Sequence, residues 1–575
     1  MGAMTDPTSA VEGQKWWKEA IVYQIYPRSF QDSSGNGTGD LKGILNRLDH
    51  IKELGANVIW ICPFYKSPWT DYGYDISDYY TVSELFGTNE DLYNLIAQAK
   101  AKGIRILLDL VINHSSDEHA WFQAALKDPK SKYRDYYFFK QGINGQPPNN
   151  WRSYFGGSAW EAVPGEENMF YLHAFAKKMP DLNWENEELM QELYTMINWW
   201  VAKDIAGFRI DAIMNIKKTM LEGNVEPDGD DGLVGINKYI VNQPGIKDLL
   251  RDLKDNTFAK HDIMTIAEAA VPDDELQDYV GPNGYFSMCF DFRAADLDIP
   301  PTGEWIYPTD WTVNQLRDIF LNVQTSVQKV GWGATYLENH DQNRSINKYF
   351  RQNQGDISDV TKKLLGTIFL GFRGTPVVYQ GEEIGMENIK LSSIDEYEDV
   401  ATYSQYQDGI AAGLDPQKAF DLVTYRSRDN SRTPMQWDAS ENAGFTTGKP
   451  WLPVNSNYTT INVAEAIKNK KSVYYHYQTL LALRTSQKYK DVLVYGKTVP
   501  RYNHLDNVVS YERVLGNQSI LFFANFQNKA IELDYSGFEG EILSNNYDDV
   551  SRVGNKISIS PYQALVIDIT RSTRQ

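Results

Sequence analysis

Carboxylates and histidines stand at or near the ends of four apolar runs in this chain. They are Asp109 with His114, Asp211, Glu268, and His340 with Asp341. One such residue is usually a solvated or ion-paired strand end, but several on one rim indicate an active site. Three acids without a nucleophilic Ser or Cys motif suit cleavage of a glycosidic bond, in which one carboxylate attacks the anomeric carbon and another group protonates the departing oxygen.

Arg209 precedes Asp211 by two residues in the run GFRIDAIMN. Residues two apart in a strand point to the same face of the sheet. A cation beside Asp211 favours the ionised, nucleophilic carboxylate, whereas an acid/base catalyst has to hold its proton in a less polarised environment. The spacing therefore predicts a nucleophile with its own counter-ion, and an acid in different surroundings.

Eight strand-like apolar runs are separated by helical patterns. They are residues 21–27, 58–63, 104–114, 207–212, 263–269, 285–292, 334–341 and 375–385. Alternating strands and amphipathic helices require a parallel sheet, and eight repeats predict an α/β fold closed as a (β/α)8 TIM barrel. Because side chains at the carboxyl ends of barrel strands face the catalytic mouth, this fold would bring the acids together.

The 575 residues far exceed the roughly 250 that a barrel needs. We predict a catalytic barrel over residues 15–114 and 185–493, with a subdomain at 386–465 after the eighth strand. Residues 115–184, with their aromatic and turn-rich segments, would form an inserted domain B after strand 3. The short alternating strand patterns within residues 494–575 predict a C-terminal antiparallel β-domain.

Composition and charge narrow the class of partner. A formal net charge of −20 argues against binding to nucleic acid or to an anionic membrane. Cys62 and Cys289, the two cysteines, lie in apolar runs, so we predict no disulfide and no cysteine metal site. With no signal-peptide pattern and no membrane span, the chain is expected to be cytoplasmic, and a monomer or weak homo-oligomer.

Four motifs stand in a fixed order: DLVINH at 109–114, GFRIDAI at 207–213, TIAE at 265–268 and ENHDQ at 338–342. In this order and spacing the chain resembles the α-amylase family of retaining glycoside hydrolases, most closely its oligo-1,6-glucosidase branch. The resemblance runs from residue 15 into the C-terminal β-domain. It implies that Asp211 is the nucleophile, Glu268 the acid/base catalyst, and Asp341 the carboxylate that stabilises the transition state.

The same resemblance implies a closed sugar pocket, with Asp109 as a buried orienting residue. The implied substrate-binding residues are Asp71, Tyr74, His114, Phe175, Arg209, His340 and Arg428. Arg428 would pair with Asp71, and together with Tyr74 they would wall off the non-reducing end of the substrate. For Phe175, ordinary aromatic packing is an equally good interpretation. A pocket rather than an open cleft implies exo attack that releases one glucose at a time from small oligosaccharides.

The loop DSSGNGTGD offers oxygen ligands at alternate positions. They are Asp32, Ser34, Asn36, the Thr38 carbonyl and Asp40. Calcium and magnesium favour such hard ligands, so the loop predicts a weak structural cation site, with a glycine-rich turn that binds no metal as the alternative. Catalysis by two carboxylates requires no cofactor.

Two differences from the oligo-1,6-glucosidase branch bear on which glycosidic linkage the enzyme cleaves. Ala212 follows the nucleophile where α-1,6-specific members usually carry Val, and MPDLN at 179–183 replaces the usual QPDLN. We therefore predict an exo-acting retaining α-glucosidase that hydrolyses terminal α-1,6 and/or α-1,4 linkages, in substrates such as isomaltose, maltose or sucrose, by double displacement.

Three other functions are alternatives to this prediction, and the sequence argues against the first and the last of them. A sucrose isomerase should carry an RLDRD signature after strand six, where this chain has FDFRAADLD at 290–298. A trehalose-6-phosphate hydrolase is a close alternative, because the segments DSSGNGTGD and PPNNWRS resemble the sequences of such enzymes. A non-catalytic partner subunit of an amino-acid transporter would need a membrane anchor and could lose the acids, whereas this chain keeps all three.

Overall fold

The computed structural model describes residues 13–351 and 356–571. Its central sheet has eight parallel strands: β1 Val22–Ile25, β2 Val58–Ile61, β3 Arg105–Val111, β4 Gly207–Asp211, β5 Met264–Ala267, β6 Met288–Cys289, β7 Ala334–Tyr336 and β8 Thr375–Tyr379. Their order is β6-β5-β4-β3-β2-β1-β8-β7. A single parallel bridge from Cys289 to Gly333 joins β6 to the start of β7 and closes the ring. The predicted barrel is confirmed.

Helices alternate with the strands and cover the outside of the barrel. They are Leu41–Asn46, Leu48–Leu54, Asn89–Ala101, Glu187–Val201, Ile246–Asn256, Leu276–Val280, Val313–Val327, Ser345–Tyr349, Asp359–Leu370 and Val473–Thr485. Several begin at a side-chain cap: Thr88 and Thr312 each accept a hydrogen bond from the third helical N–H. Helix Asp359–Leu370 is buried on nearly all sides, because it packs between helix Val473–Thr485 and the C-terminal sheet.

The segment after β3 forms a small module over the rim of the barrel. It contains helix Ala120–Lys127 and an antiparallel sheet of Phe139–Gln141, Met169–Leu172 and Trp160–Ala162. Strand Trp151–Arg152 pairs in parallel with Val234–Gly235, which comes from the long loop after β4. The inserted domain predicted at 115–184 is thus completed by a strand from outside those bounds, and the domain boundaries themselves stay predictions.

The chain after β8 adds further helices before the C-terminal sheets. They are Val400–Ala411, Pro416–Arg426, Asp429–Arg432, Val463–Lys468 and Lys490–Tyr495. The first two pack against each other. These two helices lie in the segment 386–465, which the sequence analysis predicted as a subdomain.

The C-terminal region is an antiparallel β-domain, as predicted. One sheet contains Lys497–Pro500, Val508–Leu515, Gln518–Asn525, Ala564–Asp568 and Glu541–Asn545, and a second contains Ile531–Asp534, Lys556–Ile559 and Ser551–Val553. Buried Arg513 joins this domain to the barrel by donating hydrogen bonds to the carbonyls of Gly371, Leu493 and Gly496. Both cysteines are buried free thiols. Across the described parts of the chain, no helix combines the length and apolarity that a membrane crossing requires.

Candidate active site

The predicted acids stand at or beyond the carboxyl ends of three barrel strands. Asp211 ends β4, Glu268 directly follows β5, and Asp341 lies in the loop after β7. Asp109 of β3 pairs in register with Arg209 of β4, so a carboxylate and a guanidinium face each other inside the barrel. At its other end β4 begins at Gly207, whose φ is +139° and where a Cβ would lie 1.9 Å from the Met264 carbonyl oxygen, so only glycine allows β4 to approach β5 this closely.

Arg209 joins three carboxyl groups at the mouth. Its Nη1 lies 3.0 Å from Asp109 Oδ1 and 2.8 Å from Asp211 Oδ1, and its Nη2 lies 3.0 Å from Glu268 Oε2. The guanidinium is buried, with 3% of the side chain exposed. The expected counter-ion of Asp211 is therefore present. The expectation that Glu268 sits apart from that cation is wrong, because the two strands bring both acids to the same arginine.

The two acids differ in how far their surroundings raise the pKa. Burial raises the pKa of Glu268 to about 8, and the negative charges of Asp211 and Asp341 add to the rise against the opposing Arg209. Burial also raises the pKa of Asp211, but only to about 6, with Arg209 acting in the opposite direction. The pair thus carries one proton near neutral pH, and Glu268 is the group that holds it.

Ala212 turns the chain sharply after Asp211. Its φ of 42° and ψ of 33° are left-handed, a conformation that costs a residue with a Cβ about 1 kcal/mol or more. The turn directs the Ala212 N–H to Glu268 Oε2 at 2.9 Å. This backbone strain therefore serves to place the two acids against each other.

Asp341 has the opposite electrostatic environment. Burial alone would raise its pKa, but His340, Arg432 and Arg428 outweigh burial and hold the pKa well below its usual range. Arg432 Nη2 lies 3.1 Å and Arg428 Nη1 lies 3.5 Å from Asp341 Oδ1, and His340 Nε2 lies 3.3 Å from Oδ2. The mouth thus combines a protonated acid with a permanently ionised carboxylate.

A hydrogen-bonded chain fixes Tyr74 and His340. The amide nitrogen of Gln24 donates to His340 Nδ1 at 2.8 Å, which leaves the proton on Nε2. Nε2 lies 2.6 Å from the Tyr74 hydroxyl, which in turn donates to Asp109 Oδ2 at 3.0 Å. Burial lowers the pKa of His340 to about 3, so its ring is neutral. The predicted residues Tyr74, His340 and Asp109 therefore form one rigid unit.

Arg428 forms the expected ion pair with Asp71, and a closer one with Asp399. Its Nη2 is 3.7 Å from Asp71 Oδ1, beyond hydrogen-bonding distance, whereas its Nε and Nη2 lie 2.9 and 2.8 Å from Asp399 Oδ1. Asp71 Oδ1 is buried without a hydrogen-bond partner, and burial raises the Asp71 pKa to about 7. Arg428 does lie beside Asp71 and Asp341, but Asp399, which the sequence did not single out, is its principal partner.

Phe175 and His114 lie on the domain B side of the mouth. The His114 ring is buried, with Nε2 3.1 Å from the Tyr74 carbonyl oxygen, and its centroid is 5.1 Å from that of Phe175. Phe175 also contacts Tyr154 and Phe155, at centroid distances of 5.0 and 5.7 Å. Its place among these rings at the edge of the site suits sugar stacking as well as aromatic packing.

A buried ion pair holds domain B to the barrel. Lys218, in the loop after β4, lies 2.8 Å from Asp181 Oδ2, and neither side chain is exposed. Lys218 Nζ also donates to Asn113 Oδ1 at 2.9 Å, next to His114. The loop that carries Phe175 is thereby fixed to the ends of β3 and β4.

The loop at 32–40 is held by its own hydrogen bonds. Asp32 Oδ1 accepts from the N–H groups of Ser34 and Gly35, and Oδ2 accepts from the Gly37 N–H. Asp40 Oδ2 accepts from the Ser33 N–H. The side chain of Asn36 accepts from the Thr38 N–H. Within residues 13–351 and 356–571, no three His, Cys, Asp or Glu side chains meet as a metal site would require. The predicted ligands thus supply two carboxylates and neutral oxygens.

Arg432 and Asp399 are the contacts that the sequence analysis missed. Arg432 follows Arg428 by four residues in SRDNSRTPMQWD, a spacing that places both on one side of a helical turn, and this signal could have found it. Asp399 is 29 residues before Arg428 in the sequence. No sequence pattern near either residue links Asp399 to Arg428.

A (β/α)8 barrel whose mouth holds a protonated carboxylic acid against a second carboxyl group is the arrangement of a glycoside hydrolase. Residues 24–496 match the family model of the alpha-amylase catalytic domain. The chain belongs to the alpha-amylase family.

Relatives and solved structures cover nearly the whole chain. An oligo-1,6-glucosidase of Parageobacillus thermoglucosidasius is 41% identical over 565 residues, which cover 96% of this chain and 99% of the relative. The structure of a Bacillus licheniformis trehalose-6-phosphate hydrolase has a TM-score of 0.88 at 38% identity, with 97% and 100% of the chains covered. An isomaltulose synthase of Klebsiella has a TM-score of 0.91 at 35% identity, with the same coverage.

Activity should follow a bell-shaped pH profile. Glu268 has to be protonated to act as the acid, so kcat/KM should fall as the pH rises through about 8, the pKa of Glu268. It should also fall at low pH, where Asp211, whose pKa burial raises above its ordinary value, takes up a proton. Values of kcat/KM for isomaltose or maltose, whose leaving sugar needs the proton, from pH 4 to 10 would test this. A profile that stays flat beyond pH 9 would contradict the placement of the proton on Glu268.

Proposed function

We propose that this protein is an exo-acting retaining α-glucosidase that removes terminal α-linked glucose from short oligosaccharides. The observation that carries the proposal is the Asp211–Glu268 pair, in which one arginine contacts both acids and the proton resides on Glu268. The oligo-1,6-glucosidase name of the Parageobacillus thermoglucosidasius relative supports the choice of α-glucoside. Family membership alone would not select a substrate.

The proposed reaction is a double displacement. Glu268 gives its proton to the glycosidic oxygen while Asp211 attacks the anomeric carbon, so that the leaving alcohol departs and a glucosyl ester forms on Asp211. Glu268, now ionised, takes a proton from water, and the water oxygen attacks the same carbon and releases glucose with the α configuration retained. Asp341, ionised throughout, would stabilise the positive charge that develops on the sugar ring.

The pocket wall supports attack at the chain end. Arg428 lies 3.7 Å from Asp71 and 3.5 Å from Asp341, and Asp71, Tyr74 and Arg428 are all at least nine-tenths buried. A substrate glucose that meets this wall cannot extend beyond it, which favours release of single glucose units. The proposed roles of His114 and Phe175 as contacts of that glucose rest on their place beside the same wall.

Sucrose isomerisation and trehalose-6-phosphate hydrolysis are the alternatives. Two relatives with these activities share the fold at TM-scores of 0.91 and 0.88. Against isomerisation, the segment 290–298 has one arginine, Arg293, and its guanidinium is held at the surface by Asp291 and Asp273. The linkage preference of the glucosidase itself depends on the space around Ala212 and is left open between α-1,6 and α-1,4.

Product analysis would separate these functions. The enzyme would be incubated separately with isomaltose, maltose, sucrose and trehalose 6-phosphate, and the products separated by chromatography. We expect glucose from isomaltose, from maltose, or from both. Isomaltulose or trehalulose from sucrose with little free glucose would show an isomerase, and glucose 6-phosphate from trehalose 6-phosphate alone would show the phosphate-specific hydrolase. No turnover of any of the four would refute the proposal.

We propose further that the loop at 32–40 binds a calcium or magnesium ion weakly and for structure only. Asp32 and Asp40 supply the charge, and no catalytic carboxyl group belongs to the loop. A chelator should therefore leave the initial rate unchanged. Millimolar calcium should raise the unfolding temperature by about 1–2 °C, the scale of a weak ligand that binds only the folded state. Rapid loss of activity in the chelator would overturn the structural role, and an unchanged unfolding temperature would argue for a metal-free turn.

We propose that the enzyme works in the cytoplasm as a monomer or weak homo-oligomer. Its two buried free thiols are compatible with a reducing compartment. Sedimentation at several protein concentrations would measure the oligomeric state. A stable dimer at nanomolar concentration would refute the proposed monomer or weak homo-oligomer.

A further inference from the structure

Two loops of the barrel rim meet beside the catalytic pair. The loop after β4 begins at Ala212, whose N–H donates to Glu268 Oε2 at 2.9 Å. Glu268 itself begins the loop after β5, and both backbone groups of Ala270 in that loop are bonded to the β4 loop. The Ala270 N–H donates to Met214 Sδ at 3.2 Å, and the Ala270 carbonyl accepts from Asn242 Nδ2. The segment that follows Glu268 is thus held by the loop that follows Asp211.

Asn242 makes the stronger of the two contacts to Ala270. A thioether sulfur is a weak acceptor, whereas an amide N–H that donates to a carbonyl makes an ordinary hydrogen bond. Asn242 is also bonded to its own loop, because its backbone N–H donates to the Met214 carbonyl at 3.1 Å. Its φ of 47° is left-handed, a conformation in which Asn is several-fold enriched. The backbone therefore favours Asn here, and the Asn side chain bridges the two loops.

A second hydrogen bond fixes the amide group of Asn242. The buried Tyr279, in helix Leu276–Val280, donates its hydroxyl to Asn242 Oδ1 at 3.1 Å. Since the hydroxyl occupies the amide oxygen, the amide nitrogen is left to donate to the Ala270 carbonyl. A donor that is itself held in one orientation positions its partner more precisely than a free side chain does.

The orientation of Glu268 depends on both sides of its backbone. On the strand side, its N–H donates to the Ile210 carbonyl at 2.9 Å. On the other side, the chain leaves the sheet through Ala269 and Ala270, where the Asn242 bridge acts. An acid catalyst has to present its proton to the departing oxygen, and a misplacement of about 1 Å can cost about 10²-fold in rate.

We infer that Asn242 is a positioning residue that fixes the segment after Glu268 and so directs the acid toward the leaving group. The inference rests on the proposed α-glucosidase function and adds a determinant of its first step, the protonation of the glycosidic oxygen. Asn242 acts through the Ala270 carbonyl. Its loss should therefore slow substrates whose leaving group needs a proton, and spare a substrate whose leaving group does not.

The test measures kcat/KM of Asn242→Gly for isomaltose or maltose and for 4-nitrophenyl α-glucoside. Glycine accepts the left-handed backbone and keeps the N–H that donates to Met214, so only the side-chain bridge is removed. We expect kcat/KM to fall about 10-fold for the disaccharide, a part of what general acid catalysis supplies, and less than about twofold for the aryl glucoside. Asn144→Gly is the matched control, because Asn144 is also left-handed, with a φ of 53°, and is exposed in a turn of domain B. It should leave both values unchanged.

The ratio of the two kcat/KM values separates positioning from a general loss of structure. A variant that is only destabilised loses both values in proportion to the folded fraction, so a ratio equal to that of the wild type would overturn the inference. If Asn242→Gly does not fold, as thermal unfolding would show, Tyr279→Phe removes only the hydroxyl that orients the amide. The disaccharide-to-aryl ratio should then fall about two- to threefold, the scale of one hydrogen bond, and an unchanged ratio would again overturn the inference.

Failure of the proposed function would be seen separately, in the wild type. If the wild type acts only on sucrose or on trehalose 6-phosphate, the α-glucosidase proposal fails, and that substrate takes the place of the disaccharide in the ratio. If the wild type has no turnover, crystal structures of the wild type and of Asn242→Gly decide the role of Asn242. We expect Glu268 Oε2 in the variant to move out of hydrogen-bonding distance of the Ala212 N–H, and a retained contact of 2.9 Å would overturn the inference.

Discussion

Replacing Asp211 with Asn should reduce turnover of every α-glucoside by about 10⁴-fold or more, the scale at which removal of a catalytic nucleophile acts. The amide has the size of the carboxyl group but cannot form the glucosyl ester, so the covalent route is lost. Glu268 should also lose part of its raised pKa, because the charge of Asp211 is one of its causes. Initial rates with an aryl glucoside and with the best disaccharide would measure the loss.

The Asp211→Asn variant should remain folded, because no core volume changes and the amide oxygen can still accept from Arg209. Asp255→Asn, on an exposed face of helix Ile246–Asn256, is the control for the same chemical change and should be fully active. Wild-type turnover in Asp211→Asn would exclude this residue as the nucleophile. A folded variant with residual activity below about one part in 10⁴ would support the assignment.

Replacing Glu268 with Gln should slow hydrolysis of disaccharides by about 10²- to 10⁴-fold, the range of general acid–base catalysis. A 4-nitrophenolate leaving group needs no proton, so release of the first equivalent should be spared and the glucosyl enzyme should accumulate. Azide attacks without a general base, and we expect it to restore turnover of the aryl substrate and to give an α-glucosyl azide. Burst kinetics and product analysis would follow both effects.

The Glu268→Gln variant separates the acid/base role from a merely structural one. Its pH profile should lack the basic limb near pH 8, because the titrating group is gone. Glu539→Gln, exposed in the C-terminal domain, should behave as the wild type. Equal loss of activity on aryl and disaccharide substrates, with no effect of azide, would show that Glu268 acts in some other way.

The fold and the central acids follow from local features of the sequence. Runs of apolar residues separated by helical patterns predicted all eight barrel strands, although the predicted runs were longer than the strands. The run at 104–114 leaves the sheet after Val111, and His114 instead bridges to Asp181 of domain B. The run at 285–292 keeps only Met288–Cys289 in the sheet. Apolar residues continue beyond the strands because the rim of the barrel is itself covered by inserted segments.

The sequence by itself determined the barrel, the order of its motifs and the identity of the candidate acids, because strand periodicity and motif spacing are encoded within a few neighbouring residues. Only the tertiary structure decided that Arg209 contacts Glu268 as well as Asp211, that Asp399 is a closer partner of Arg428 than Asp71, and that the proton belongs to Glu268. These features depend on which charges meet across different strands and loops and on how deeply they are buried. Long-range packing sets both, and no local pattern records it.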